Sequence, residues 1–470
     1  MHKFSSSRGA LRGLPGSLAV TAMIVIFCPD ALFGQDQENI ATPAVTHGFQ
    51  VRNVSANIDY YSTGLSSTAI GQYAAKFQPD AAAGASAQVG WLRASERTAS
   101  SFSYTSSLAG RLRYSELNAW NHAFSLTTSH HFSPRTIGNF SIGGDLSNLE
   151  QSLFSATTLG NIASARTGFD ALADAMLAAK FNSPLLSSIF NSASLAESPL
   201  RNLLYGQRMF TTGVKSSVSY AYSPRLSISF QGGAGRNQYL SDAQVRNSGM
   251  NYLLANTTSG SGDLSLSYSL SPLTQIGGSL GTQRIVSSVQ DSYTTTALFT
   301  MGRTLARRWI LQIRGGAGVI NPVGRRTLLI GGRPWMLSTS AHPAGGASLG
   351  YKTTSHTILA SVEQTVSDSY GLGAATTTTA GASWNWRRPG HDWWLESGTG
   401  WQQLEGTGLG RISGLRTTLG LGRKLRPQLA ILAQYAYLDY SGRVQAIAYS
   451  QGQSAVRVSL SWTPHPEMPR

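Results

Sequence analysis

Apolar and polar residues alternate over many short stretches of the chain, and residues 217–230 (SVSYAYSPRLSISF) show the pattern. Apolar side chains occupy every second position on both sides of Ser223-Pro224-Arg225. Two alternating stretches joined by a tight turn predict a β-hairpin. The intervening positions are serine and alanine rather than charged residues. The polar face of this hairpin therefore does not resemble the surface of a soluble sheet.

Hairpins of the same kind recur along the chain. They are predicted at 87–104, 123–142, 217–230, 263–280, 296–313, 347–362, 381–398 and 417–435, with a last strand at 455–462. The turn of the 296–313 hairpin is expected around Arg303, and the segment 49–60 supplies an additional strand despite poor alternation. The tight turns are alike, whereas the connections between hairpins vary in length. Counting the arms predicts about 18 strands, an even number, with about 16 as the alternative.

The amino-acid composition indicates the environment of these strands. Only 13% of the residues are charged, against roughly 25% in a typical soluble domain. Beyond the N-terminus, the chain has no apolar run of about 20 residues that would predict a membrane-spanning helix. Alternating strands with few charges are typical of a barrel whose apolar face meets lipid and whose polar face lines a lumen. We therefore predict an all-β fold, a transmembrane antiparallel up-and-down β-barrel.

The N-terminus predicts a signal peptide over residues 1–34. Basic residues precede an apolar segment at 17–28, which is too short to span a bilayer comfortably, and small residues predict cleavage near Gly34. The only cysteine, Cys28, lies in this segment, so the mature chain is expected to have neither disulfide nor thiolate metal chemistry.

The remaining chain divides into a barrel and its flanks. Residues 35–81 form an N-terminal segment that includes the first strand, 82–462 form the barrel, and 463–470 form a C-terminal tail. Residues 148–207 interrupt the alternation and are predicted to be a long loop, with a helix near 165–181 where apolar residues recur at helical spacing. This loop either folds inward and narrows the lumen or lies outside the barrel.

Charged residues within the strands are expected to face the lumen. A Lys or Arg on the lipid face costs roughly 2–4 kcal/mol at mid-membrane, so the inward orientation is favoured. The candidates for lumen-lining charges are Lys215, Arg314, Lys352, Glu363, Glu396, Arg416 and Arg457. Five positive against two negative charges predict a weakly anion-selective lumen. The alternative is that these charges pair with loop carboxylates and select nothing.

Tyrosine and tryptophan cluster beside the short turns and at strand ends. Their apolar rings and polar tips suit the headgroup zone of a bilayer. The candidate interfacial aromatics are Tyr220, Tyr222, Tyr268, Trp309, Tyr351, Trp384, Trp386, Trp393 and Trp462.

The sequence does not predict an enzyme. His122 with Asn121 and Ser125 nearby is a conceivable Ser-His-Asn grouping, but sequence proximity fixes no geometry. Histidines do not occur at metal-ligand spacing with carboxylates, and a phosphate-binding loop is missing from the sequence. We therefore expect no catalytic residues, no metal and no cofactor. The net charge of +15 is spread over turns and strands without a dense basic run, so we expect no nucleic-acid partner.

The chain resembles Gram-negative outer-membrane β-barrels over nearly all of its mature length. The strand–Ser-Pro-Arg–strand hairpins and residues 114–126 (YSELNAWNHAFSL) are also similar to barrels encoded beside exopolysaccharide-export genes. The resemblance implies export through a cleaved signal peptide, and outer-membrane lipid and the barrel-assembly machinery as partners. One departure is that the last strand ends at Trp462 and a tail follows, whereas such barrels commonly end on an aromatic residue.

Two functions are compatible with these features. The first is a porin-like channel for small polar or anionic solutes, because a barrel of this size is too wide for its wall side chains to fill. The alternative is a plugged barrel that serves as a structural or export accessory for surface polysaccharide, which would then be a partner. The oligomeric state is left open.

Overall fold

The computed structural model describes residues 46–464, except 63–77, 96, 114–117, 149–207, 241–255, 288–290, 307, 324–326, 331–332, 337–338, 369–373, 388, 407–409 and 445–446. The described residues contain strands but no α-helix. A helix long and apolar enough to cross a membrane is likewise missing from them. The predicted signal peptide at 1–34 and the predicted helix near 165–181 lie outside the described residues.

The described residues form twenty strands. They are β1 Thr46–Tyr61, β2 Asp80–Ala94, β3 Thr98–Arg111, β4 Ala119–Ser133, β5 Thr136–Asn148, β6 Arg208–Ala221, β7 Leu226–Tyr239, β8 Thr257–Ser271, β9 Thr274–Ser287, β10 Asp291–Leu305, β11 Trp309–Pro322, β12 Thr327–Ile330, β13 Arg333–Met336, β14 Ser340–Lys352, β15 His356–Asp368, β16 Ala374–Arg387, β17 Trp393–Gly406, β18 Gly410–Arg426, β19 Leu429–Val444 and β20 Ile447–Trp462.

Eighteen of these strands form one antiparallel sheet that closes on itself. Each of the eighteen pairs with the next one along the chain, β11 pairs with β14, and β1 also pairs with β20, with residues 54–61 opposite 455–462. Strands β12 and β13 form a separate short hairpin between β11 and β14. Closure pairs the backbone groups that an open edge would leave exposed, which a sheet in lipid requires. The predicted 18-strand antiparallel barrel is thus confirmed.

The two ends of the barrel have different connections. At one end, called the turn end, short turns join β2–β3, β4–β5, β6–β7, β8–β9, β10–β11, β14–β15, β16–β17 and β18–β19. The other end, called the loop end, carries the remaining connections, which range from the two residues between β19 and β20 to the 59 residues between β5 and β6. One predicted turn was misplaced. Arg303 is not at the turn of its hairpin, because it pairs with Leu311 on one side and Thr274 on the other, and β10 continues to Leu305.

Side chains alternate between an outer and an inner face of the wall. On β8, Leu264, Leu266 and Tyr268 are 44%, 47% and 39% exposed, whereas the intervening Ser267 is 2% exposed. Apolar side chains exposed in this regular way around a closed barrel suit a lipid environment. We call this surface the outer face.

Serine dominates part of the opposite, inner face because it can pair with itself across strands. The Oγ atoms of Ser227 and Ser267 lie 2.7 Å apart, and those of Ser229 and Ser265 lie 2.5 Å apart. Small hydroxyl side chains therefore satisfy one another while leaving the inner face polar and the wall thin.

Candidate functional site

The candidate functional site is the inner face of the barrel. Two groups of its charged residues are named here by position. The middle belt comprises the charged inner-face residues inside the strands, namely Asp59, Asp145, Lys215, Asp263, Arg314, Glu363, Glu396, Arg416 and Arg457. The mouth cluster lies on the inner face near the turn end, and consists of Arg52, Lys352, Arg387 and Lys424.

The structure places all seven charges proposed for the lumen on the inner face, but at two heights. Lys215, Arg314, Glu363, Glu396, Arg416 and Arg457 belong to the middle belt, whereas Lys352 is the last residue of β14 and belongs to the mouth cluster. The inward orientation of each charge follows from the alternation of side chains along its strand. Val218, for example, is 45% exposed on the outer face. Lys215 lies three residues before it and is therefore on the inner face of β6.

The closing seam carries a bidentate ion pair of the middle belt. Asp59 on β1 lies directly opposite Arg457 on β20. The Arg457 Nε and Nη2 atoms donate to the two Asp59 carboxylate oxygens, each at 2.7 Å. Asn57 Nδ2 and the Tyr61 hydroxyl also donate to this carboxylate, at 2.9 and 3.3 Å. A bidentate pair with additional donors fixes both geometry and charge at the strand pair that closes the barrel.

A second ion pair spans three strands. Arg314 on β11 and Glu363 on β15 each lie opposite Gly346 on the intervening β14, and the Arg314 Nη2 atom contacts the Glu363 Oε1 atom. A Cβ atom at position 346 would lie 2.4 Å from the Val362 carbonyl oxygen. Glycine therefore lets the two long side chains meet across a strand that has no side chain between them.

Other inner-face side chains also lie over glycines of the next strand. A Cβ atom at Gly420 would meet the Glu396 Cγ atom at 2.6 Å, and one at Gly281 would meet the Asp263 Oδ2 atom at 3.0 Å. Glu396 Oε1 also accepts a hydrogen bond of 2.6 Å from Gln434 Nε2. Glu396 and Asp263 thus lie along the wall, over glycines of the neighbouring strands.

Lys215 and Asp263 differ from the paired charges. Within the described part of the chain, neither side chain has an ion-pair partner or a side-chain hydrogen bond. Lys215 instead lies beside Gly233, where an added Cβ would be 3.4 Å from the Lys215 Cγ atom. Isolated charges require water or a ligand, because burying them without a partner is costly.

The expected excess of positive charge does not hold for the middle belt. Sequence reasoning missed Asp59, Asp145 and Asp263, which the structure places on the inner face. The belt as described carries four basic residues (Lys215, Arg314, Arg416, Arg457) against five acidic ones (Asp59, Asp145, Asp263, Glu363, Glu396). The described mouth cluster, in contrast, contains basic residues only. The cationic character of the inner face therefore lies at its turn end.

A further pair of charges, also missed from the sequence, lies near the loop end. Arg111 Nη1 is 3.5 Å from Asp80 Oδ2, and both side chains are almost fully buried. The Arg111 guanidinium also lies 4.3 Å from the centroid of the inward-facing Tyr61 ring. The inward orientation of Arg111 could have been predicted from the alternation of side chains alone. Leu108, three residues earlier, is apolar and faces outward, so Arg111 falls on the opposite face.

Eight of the nine proposed interfacial aromatics lie on the outer face toward the turn end, and the ninth, Tyr222, lies in the turn that follows β6. They are Tyr220, Tyr222, Tyr268, Trp309, Tyr351, Trp384, Trp386, Trp393 and Trp462. Several have polar or aromatic neighbours there. Trp384 Nε1 donates to His356 Nδ1 at 3.2 Å, and the Arg423 guanidinium lies 4.9 Å from the Trp393 ring centroid. This arrangement is typical of an aromatic girdle at a membrane interface.

The conceivable Ser-His-Asn grouping does not form. His122 faces outward, where its Nδ1 atom lies 2.7 Å from the Tyr104 hydroxyl and its ring packs against Trp120. Asn121 and Ser125 face inward, because they are an odd number of residues away on the same strand. The described residues also contain no group of three His, Cys, Asp or Glu side chains that would hold a metal ion.

Comparisons with known proteins address the fold. No protein-family model matches the sequence, and no curated protein matches it. The outer membrane protein OpdK from Pseudomonas aeruginosa is 12% identical, over 88% of this chain and 100% of that chain, with a TM-score of 0.40. OccAB4 from Acinetobacter baumannii is 8% identical, over 87% and 97% of the two chains, with a TM-score of 0.40. A bacterial polysaccharide outer membrane secretin is 7% identical, over 88% and 98%, with a TM-score of 0.33. Similarity at this level carries no argument about function, which rests on the inner face itself.

Proposed function

We propose that this protein is a porin-like channel of the outer membrane that passes small polar solutes, with a weak preference for anions. The observation that carries the proposal is a closed 18-strand barrel whose inner face is polar. A barrel of this size is too wide for wall side chains to fill. Lys215 and Asp263 support an aqueous lumen, since both are charged and neither is paired within the described residues.

The anion preference is assigned to the mouth cluster rather than to the middle belt. Near-balanced charge in the belt gives little selectivity, whereas a mouth lined by Lys and Arg raises the local concentration of anions. We propose no enzymatic activity, because His122 of the conceivable Ser-His-Asn grouping faces outward, away from Asn121 and Ser125. Location in the outer membrane and export through a cleaved signal peptide belong to the same proposal.

The test is conductance of purified, refolded protein in a planar bilayer under a KCl gradient. Stepwise ohmic openings with a reversal potential that modestly favours chloride are expected. Silence from protein whose heat-modifiable gel mobility shows it to be folded would contradict the proposal and favour a plugged barrel, such as an accessory for surface polysaccharide.

Selectivity provides a sharper prediction. Changing Lys352, Arg387 and Lys424 together to Gln should move the reversal potential toward that of a non-selective pore, because these cations lie at the mouth. Changing Arg314 to Gln should shift the reversal potential less, because this change removes a charge from the middle belt and leaves the cations of the mouth cluster in place. The assignment is wrong if the Arg314 variant shifts the reversal potential more than the triple variant.

A further inference from the structure

Three polar side chains on the inner face of β6, β7 and β8 make no side-chain hydrogen bond or ion pair with the residues that the structure describes. They are Lys215, Gln231 and Asp263. Toward the turn end of the same wall, inner-face side chains are paired, since Ser229 contacts Ser265 and Ser227 contacts Ser267. Because unpaired charges on a barrel wall require water or a ligand, these three groups differ from the serines that satisfy one another.

The pairing of the strands places the three groups around a shallow recess in the wall. Lys215 lies opposite Gly233, which lies opposite Ser261, so a glycine separates the two side chains of this row. Asp263 lies opposite Gln231 in the next inner-face row toward the turn end. The next inner-face row toward the loop end has no side chains on β5, β6 and β7, where it consists of Gly143, Gly213 and Gly235.

The recess is uncovered on its inner side. Ser261 is exposed although it faces inward, and Lys215 and Asp263 are both partly exposed. The two charged side chains lean over different glycines. A Cβ atom at Gly233 would lie 3.4 Å from the Lys215 Cγ atom, and one at Gly281 would lie 3.0 Å from the Asp263 Oδ2 atom. A solute in the lumen can therefore contact both charges.

The spacing of Lys215 and Asp263 suits a solute that carries a carboxylate and an ammonium group. Their strands are separated by β7, and Asp263 is two residues along β8 from the Lys215 row. Strand spacing and residue rise then put their Cα atoms about 12 Å apart. The charged ends of an extended dipeptide are about 6 Å apart, which leaves room for the two side chains to reach them.

We infer that Lys215, Gln231 and Asp263 form a binding site for a small zwitterionic peptide. Lys215 donates to its C-terminal carboxylate, and Asp263 accepts from its N-terminal ammonium group. Gln231, on the strand between them, hydrogen-bonds the peptide group, because its amide both donates and accepts. A solute with a single charge leaves one of the two wall charges unpaired. The inference rests on the proposed function in one respect, because the peptide must reach an aqueous lumen.

The experiment is saturation-transfer nuclear magnetic resonance on the folded barrel in detergent, with dialanine as the probe. N-acetyl-dialanine, which lacks the ammonium group, and dialanine amide, which lacks the carboxylate, are its matched derivatives. Dialanine should bind about tenfold more tightly than either derivative, because each derivative loses one charge-assisted hydrogen bond.

Two variants should change both affinity and selectivity. Lys215→Gln and Asp263→Asn should each weaken dialanine binding by about tenfold. Lys215→Gln should no longer distinguish dialanine from its amide, whereas Asp263→Asn should no longer distinguish dialanine from its N-acetyl derivative. A general distortion of the wall would not produce this exchange of selectivity.

Arg225→Gln is the matched control, because it removes a cation from the turn of the same hairpin and leaves the inner face unchanged. It should bind dialanine as the unmodified protein does. The site is refuted if dialanine does not bind, if either derivative binds as tightly as dialanine, or if Lys215→Gln binds like Arg225→Gln. Binding in detergent does not require an open pore. A barrel that binds dialanine yet conducts no current would keep this site while rejecting the channel.

Discussion

The ion pair across the closing seam should make a measurable contribution to barrel stability. The Asp59 side chain is 4% exposed and that of Arg457 is 29% exposed, and two bonds of 2.7 Å join them. Changing Arg457 to Gln leaves a nearly buried carboxylate without its cation, although Asn57 and Tyr61 still donate to it. Removing one partner of a buried ion pair leaves the other charge buried without its counter-charge. We therefore expect a loss of about 2–4 kcal/mol in the free energy of unfolding.

The converse change should cost less. Asp59→Asn leaves a guanidinium that is partly exposed and can be hydrated, so we expect a loss of about 1–2 kcal/mol. The double variant should lose less than the sum of the two single variants, because it leaves no charge without its partner at the seam. The order of effects, with Arg457→Gln larger than Asp59→Asn, follows from the exposures of the two side chains.

The assay is denaturant unfolding in lipid vesicles, followed by tryptophan fluorescence and by gel mobility of unheated samples. Arg284→Gln is the control, because the Arg284–Asp291 pair has a similar geometry with a 3.0 Å contact but an exposed arginine. It should leave the unfolding midpoint unchanged. The reasoning is refuted if Arg457→Gln unfolds at the same denaturant concentration as the control.

Two further predictions concern the wall. Gly346→Ala should destabilise the barrel by about 1–3 kcal/mol, because its Cβ would lie 2.4 Å from a backbone oxygen, and Gly315→Ala should be nearly neutral because nothing lies within 4 Å of the added atom. Equal unfolding midpoints for the two variants would contradict this. Leu266→Arg, on the outer face, should cost about 2–4 kcal/mol in vesicles, whereas Ser265→Arg, on the inner face, should be tolerated. A tolerated Leu266→Arg would mean that the two faces are assigned the wrong way round.

Much of this fold could be predicted from alternation alone. The stretch 217–230 contains two strands with serine on one face, and the structure assigns that face to the inside of β6 and β7. Local period-2 pattern and tight turns determine such hairpins, because both act between residues close in sequence. The outward position of Trp393 could be predicted from the same alternation of side chains. That alternation also implied an inward Trp394, a consequence that sequence analysis did not draw.

The middle belt could not be predicted in full, because it depends on distant pairing. Asp59 and Arg457 are 398 residues apart, and nothing local to either indicates the other. The irregularity between Val51 and Asn53 also interrupts the alternation of β1, which hid the inward side of Asp59. The role of Gly346 is likewise visible only from the register of β14 against both of its neighbours.

The central claim is that solutes pass along the inner face at the middle belt. Cysteine substitution at two adjacent positions tests this directly in a background where Cys28, the only native cysteine, is changed to Ser. Lys215 faces inward, whereas its neighbour Val214 faces outward. The account predicts that a water-soluble methanethiosulfonate reduces single-channel current through Lys215→Cys and leaves Val214→Cys unaffected. Equal responses from the two variants, or an unchanged current through modified Lys215→Cys, would contradict it.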